Sequence, residues 1–279
     1  MNASTNGMEI YMELFYTVVT YVLAGLLGLC VGSFLNVVIY RVPNGMSLAT
    51  PSSHCPRCKY VLKWYDNVPV LSYLFLGGKC RKCKVRIPVR YTLVEIANML
   101  LWLLCVYLLW DRSVVLCVLS AIASSVFLCV FFIDLEHKLI FDRFVIILAA
   151  LGIVWMFFDT DFVWYSHLIG GVAGFAAFWL IGYLFYKLRG IEGLGGGDVK
   201  LVGAAGLLLG WERMLLSVLI ASILASIVLI FATKIAQKRG NDDADSREYP
   251  FAPFLTLGFT VSMFFGTQII AAYLSLLGF

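Results

Sequence analysis

From Leu14 to Tyr40 the chain carries no charged residue. A run of that length exceeds the roughly 20 apolar residues that a helix needs to cross the hydrocarbon core of a bilayer. Seven more apolar segments follow: Val94–Trp110, Val114–Ile133, Phe144–Phe158, Phe162–Tyr186, Val199–Gly210, Met214–Ala232 and Pro253–Leu277. In lipid no water satisfies an exposed peptide group, so such segments fold as helices. The expected class is therefore an all-α polytopic membrane protein of about eight transmembrane helices. The fourth and sixth segments are short for a full crossing and either borrow neighbouring residues or run as partial helices lining a cavity. Composition agrees: 61% of the 279 residues are hydrophobic and 14% charged, against about 25% charged in soluble domains. This excludes a disordered chain and a nucleic-acid-binding protein with a basic surface, and it argues against a soluble enzyme. The first segment does not read as a cleaved signal peptide, because Glu9 and Glu13 precede it without any Lys or Arg.

Basic residues give the orientation. The stretch from Arg41 to Arg90 holds ten Lys and Arg residues and one acid, Asp66. By the positive-inside rule this loop is cytoplasmic. Alternation through eight spans then places Asp134–Arg143, Lys187–Lys200 and Lys234–Tyr249 inside as well. The short turns Asp111–Ser113, Asp159–Asp161 and Trp211–Arg213 come out external, together with both termini. The chain divides into an external arm with the first helix (1–40), a cytoplasmic four-cysteine domain (41–90) and a membrane domain of about seven helices (91–279). Gly170 with Gly174, and Gly206 with Gly210, have the spacing that lets membrane helices pack closely. Asn241–Glu248 reads as a solvated acidic connector.

The eight cysteines fall into two groups. Cys30, Cys105, Cys117 and Cys129 lie singly in apolar segments and read as small packing residues. Cys55-Pro-Arg-Cys58 and Cys80-Arg-Lys-Cys83 are two CxxC pairs with 21 residues between them. That spacing is a strong signal for structural zinc, held tetrahedrally by four thiolates. Disulfides are the alternative, disfavoured in a loop expected to face a reducing cytosol. His54 reads as a solvated neighbour. A loop of this size builds little core unaided, so the metal's role is architectural.

Two aspartates stand at the same expected membrane face. Asp134 closes the third apolar segment, and Asp198 opens the sixth after Gly193-Leu-Gly195-Gly196-Gly197. Helix N-capping is an ordinary explanation for Asp198. Asp134 at a helix C-terminal end opposes the macrodipole and needs a partner or a purpose. Glu136 and Asp142 fit a solvated loop. The glycines before Asp198 allow another segment to approach its carboxylate. Two facing aspartates that share a proton can hydrolyse a peptide, one activating water and the other polarising the carbonyl. The same carboxylates could instead form an ion or proton relay in a transporter. A transporter, however, would place them near the midplane and show repeated halves, and no long repeat is present.

Taken together these motifs resemble the bifunctional type IV prepilin peptidases, over nearly the whole chain. Gly32-Ser-Phe-Leu-Asn36 through Arg41 is similar to the family's opening motif. The two CxxC pairs, Trp64-Tyr-Asp-Asn67-Val-Pro69 between them, and Arg90-Tyr with Val94-Glu95 after them resemble its zinc domain. Asp134 and the Gly195-x-Gly197-Asp198-x-Lys200 string resemble its two catalytic aspartate sites. Phe141-Asp142 stands where the family often has Pro-Asp, and Pro88 where it commonly has Ser. The resemblance implies cleavage of the basic leader of type 4 prepilins or pseudopilins after a Gly, then N-methylation of the new terminus with S-adenosylmethionine. It also implies a bacterial inner-membrane location, with zinc at Cys55, Cys58, Cys80 and Cys83 and catalysis at Asp134 and Asp198. The cofactor-binding residues stay unknown. No strand–Gly-rich–helix unit is visible; Glu95 and Asn36 are polar residues near the same face, equally explained by packing or capping.

Overall fold

A computed structural model describes residues 3–190, 193–238 and 249–278. Nine α-helices are described: α1 (Ala3–Arg41), α2 (Leu71–Phe75), α3 (Arg90–Leu109), α4 (Val114–His137), α5 (Asp142–Trp155), α6 (Trp164–Arg189), α7 (Gly196–Leu209), α8 (Trp211–Lys238) and α9 (Ala252–Leu276). Eight of them coincide with the eight apolar segments. Six are long and apolar enough to cross a membrane: α1, α3, α4, α6, α8 and α9. The two that fall short, α5 and α7, have 14 residues each and belong to the segments expected to be short. The acidic stretch Asn241–Glu248 and Glu192 lie outside the described residues.

The chain forms two compact units, Met1–Ser125 and Val126–Phe279, with the boundary inside α4. In the first unit α1 packs along α3. A Cβ at Gly32 would sit 2.8 Å from the Glu95 Cα, and one at Gly28 would sit 2.9 Å from the Met99 Cα. Only glycine allows backbones so close, as in other membrane helix pairs. The contact is sealed by polar groups. The Asn98 amide donates to the Gly28 carbonyl at 2.8 Å, the Ser125 hydroxyl donates to Asn98 Oδ1 at 2.7 Å, and the Trp102 indole donates to Ser125 at 2.9 Å. Asn36 donates to the Tyr91 carbonyl at 2.9 Å. Cys105, Cys117 and Cys129 are buried as expected, whereas Cys30 is exposed on α1.

In the second unit α7 is the central element and touches α5, α6, α8 and α9. Nine of its residues are buried, among them Leu201, Ala205 and Leu208. Gly170 and Gly206 bring α6 and α7 into backbone contact: a Cβ on Gly170 would meet the Gly206 carbonyl oxygen at 2.6 Å. Gly210 packs against α6 as well, where a Cβ on it would lie 2.8 Å from the Ser166 Oγ, and it is also the C-cap of α7 with φ +81°. At that end Asp159, in the α5–α6 turn, is a buried hub. Trp155 donates to it at 3.2 Å, His167 Nε2 lies 3.4 Å away, and Arg213 from α8 is ion-paired with it. Burial alone would raise the Asp159 carboxyl; the contacts from His167 and Arg213 outweigh it and hold the carboxyl well below the ordinary range.

Candidate functional site

The cysteine module belongs to the first unit and consists of two near-identical knuckles. In each, the residue after the second cysteine has a left-handed backbone, Lys59 (φ 56°) and Lys84 (φ 57°). Its N–H closes back on the first cysteine's carbonyl, Lys59 on Cys55 at 2.9 Å and Lys84 on Cys80 at 3.0 Å. The first cysteine's N–H in turn reaches the next carbonyl, Cys55 to Tyr60 at 2.9 Å and Cys80 to Val85 at 2.8 Å. This turn points both sulfurs of a CxxC inward. All four sulfurs lie within 4.8 Å of one another, with Cys55 to Cys83 at 3.8 Å and Cys58 to Cys80 at 3.9 Å. The cysteines are free thiols, so the disulfide alternative does not hold. A tetrahedron with metal–sulfur bonds of about 2.3 Å has edges of about 3.8 Å, and these spacings fit it. Hydrogen bonding from the Cys58 backbone, above all, pulls the Cys55 thiol down to about 6. At Cys83 the Val85 backbone hydrogen bond lowers the thiol, but burial and the neighbouring sulfurs push it up to about 11. Without a metal the four sulfurs therefore do not ionise together; a cation bound among them would replace their protons. His54 stays outside the cluster, its Nδ1 2.9 Å from the Ser52 carbonyl.

A buried carboxylate braces the knuckles. Asp66 accepts from Arg81 at 2.7 Å, the Tyr60 hydroxyl at 3.1 Å and the Lys63 N–H at 3.2 Å. Burial would raise its carboxyl, but these donors outweigh it and hold it below the usual range.

The aspartates belong to the second unit. Asp134 lies within α4, in its last turns, and is buried. The partner its position demands is the Ala252 N–H, which donates to Oδ2 at 3.2 Å. Ala252 opens α9, where the first N–H groups have no helical acceptor and the dipole is positive. Sequence reasoning missed Ala252; the available signal was Pro253, a proline of the kind tolerated in a helix's first turn, where its missing N–H costs nothing. Asp198 is not the N-cap of α7. Gly195 caps the helix, and Asp198 is its third residue. Its Oδ1 is buried without a hydrogen-bond partner, and its charge interacts with that of Asp134. The α4–α5 link closes on α7: a Cβ at Gly197 would lie 2.9 Å from the Ile140 Cβ, and Lys200 pairs with Asp142 at 2.7 Å. Acids 64 positions apart in the sequence thus come near enough for one charge to act on the other.

The two polar residues near the α1–α3 contact have structural partners. Glu95 accepts from the Val70 N–H at 2.8 Å, and the Asn36 amide is tied to the Tyr91 and Gly32 carbonyls.

Six bilayer-length helices make this a multi-pass membrane protein. Residues 26–109 match the bacterial peptidase A24 N-terminal domain, and residues 121–230 match the type IV leader peptidase family. A protein of Pseudomonas putida named prepilin leader peptidase/N-methyltransferase is 33% identical, covering 92% of this chain and 94% of its own. Proteins of the same name from Burkholderia pseudomallei (35% identical; 86% and 84% covered) and Myxococcus xanthus (37%; 83% and 69%) are similar too. The chain belongs to the type IV leader peptidase family. No solved structure matches it.

Proposed function

We propose that the chain cuts the basic leader from type 4 prepilins or pseudopilins after a Gly, using Asp134 and Asp198, and then N-methylates the new terminus with S-adenosylmethionine. What supports the aspartate assignment is a buried Asp134 near the end of α4 and, in the first turn of α7, an Asp198 whose Oδ1 is buried without a hydrogen-bond partner and whose carboxyl feels the charge of Asp134. Two carboxylates so placed do not ionise together easily. The ionised member takes a proton from water, whose oxygen attacks the scissile carbonyl. The protonated member donates to the carbonyl oxygen and stabilises the tetrahedral intermediate. Collapse breaks the C–N bond as the amine takes up a proton. Asp142 lies outside this chemistry, in a half-exposed ion pair with Lys200.

The four cysteines would hold a zinc ion that fixes the knuckle geometry, in a domain spanning 41–90 between the 1–40 arm and the 91–279 membrane domain. The ten basic residues of that loop favour a cytosolic face, in a bacterial inner membrane. There the basic leader would stay in the cytosol while the apolar pilin stem occupies the bilayer. We assign no residue to the methyl donor. Incubating the purified full-length protein with a prepilin should release the leader, and S-adenosylmethionine should then add one methyl group to the new N-terminal amine. A prepilin left intact would overturn the reading.

A further inference from the structure

The cysteine module carries large apolar side chains that neither the sulfurs nor the aspartates use. In α2, Leu71, Leu74 and Phe75 fall at i, i+3 and i+4 and so share one face. That face is open: Leu74 is 66% and Phe75 87% exposed. Trp64, in the turn beside Asp66, is 81% exposed. Leaving such surface in water is unfavourable, and contiguous exposed apolar side chains mark an interaction site.

The depth of α2 indicates what covers it. Val70, the residue before α2, donates its N–H to Glu95 Oε2 at 2.8 Å. Glu95 lies in the second turn of α3, against Gly32 of α1. Gly32 is about 13 Å short of Arg41 along α1, at 1.5 Å per residue. The start of α2 therefore stands beside two membrane-crossing helices, level with their apolar stretches rather than beyond their ends. Around it the module is cationic. Lys63, Lys79, Lys82, Lys84 and Arg86 are all exposed, and the loop's one acid, Asp66, is taken by Arg81.

We propose that α2 and Trp64 form an interfacial anchor, with the Leu71–Leu74–Phe75 face seated among the headgroups and upper acyl chains of the bilayer. The surrounding lysines and arginines face anionic headgroups. A short apolar face combined with cations is the pattern by which segments lie in a membrane surface. The partner is an anionic lipid surface. Its hold on α2 fastens the module at a third point besides its two chain connections, and it shields the Val70–Glu95 hydrogen bond from water.

The test places a photoreactive benzoylphenylalanine at position 75 of the full-length protein. The protein is reconstituted either in phosphatidylcholine vesicles or in vesicles with about 30% phosphatidylglycerol. After irradiation, mass spectrometry should find phospholipid adducts, with a yield about threefold or more higher in the phosphatidylglycerol vesicles. Leu74→Glu, at an exposed site, should cut that yield about fivefold while leaving the helical circular dichroism spectrum unchanged. Adducts to another segment of this chain or to a second copy, no adduct at all, or equal yields in the two vesicle types would each overturn the proposal.

Discussion

Gly197→Ala should separate the two aspartates without touching either. An added methyl would lie 2.9 Å from the Ile140 Cβ and 3.3–3.4 Å from its outer carbons. Carbon atoms rest about 3.5–4.0 Å apart, so the α4–α5 link and α7 must part by roughly 0.6–1 Å. Ile140 cannot swing clear, because its closest atom is Cβ, fixed to the backbone. That link begins just past Asp134, and Gly197 immediately precedes Asp198, so the displacement opens the gap between the carboxylates. A misplacement of about 1 Å costs about a hundredfold in rate, or about 2.7 kcal/mol of barrier. Gly196→Ala is the matched control: its added methyl meets nothing within 4 Å, and in the first turn of α7 the exchange of glycine for alanine changes little. The assay is single-turnover leader cleavage by purified full-length protein, with methylation of a pre-cleaved pilin as the folding check. Gly197→Ala should lose about a hundredfold in cleavage and Gly196→Ala less than about twofold. Near-normal cleavage by the first, or an equal loss in the second, would refute the steric argument.

Elemental analysis should find about one zinc per chain, falling at least about tenfold in affinity for Cys58→Ser, which leaves three sulfurs; metal-free protein with intact knuckles would contradict this. Asp66→Asn should destabilise the module by about 1–2 kcal/mol, a range kept low because solvent screens its half-exposed partner Arg81. The folded carboxyl is depressed, so this contribution is complete above the ordinary value of 3.8 and lost as pH falls through the folded value. The gap between variant and wild type should therefore close in acid, and a gap constant down to strong acid would contradict the pairing. An epitope inserted after Asn44 should be hidden in intact spheroplasts and one after Asp111 accessible; the reverse pattern would invert the topology.

The apolar runs were legible because a bilayer imposes a length and a composition on each helix, and all eight appear where hydropathy put them. The start of α7 was less visible. Hydropathy begins at Val199, yet the helix begins at Gly196. First-turn N–H groups need no helical partner, so glycine costs little there, and Asp198 becomes a third residue rather than a cap. The knuckles were readable as sulfur spacing, but the left-handed Lys59 and Lys84 were not, since lysine gives no sign of that backbone. Asp159 and Arg213 read as ordinary residues of short turns, and His167 falls inside the apolar segment Phe162–Tyr186. Their meeting depends on how α5, α6 and α8 pack around α7, which no local periodicity encodes.

The measurement closest to the central claim is leader cleavage by Asp134→Asn and Asp198→Asn. Each substitution preserves side-chain shape and removes the acid–base function. Both substitutions should abolish cleavage, keep the zinc and still methylate a pre-cleaved pilin, whereas Asp142→Asn, which loses only a surface ion pair worth about 0–1 kcal/mol, should still cleave. Substantial cleavage by Asp134→Asn or Asp198→Asn would mean that other groups carry the reaction.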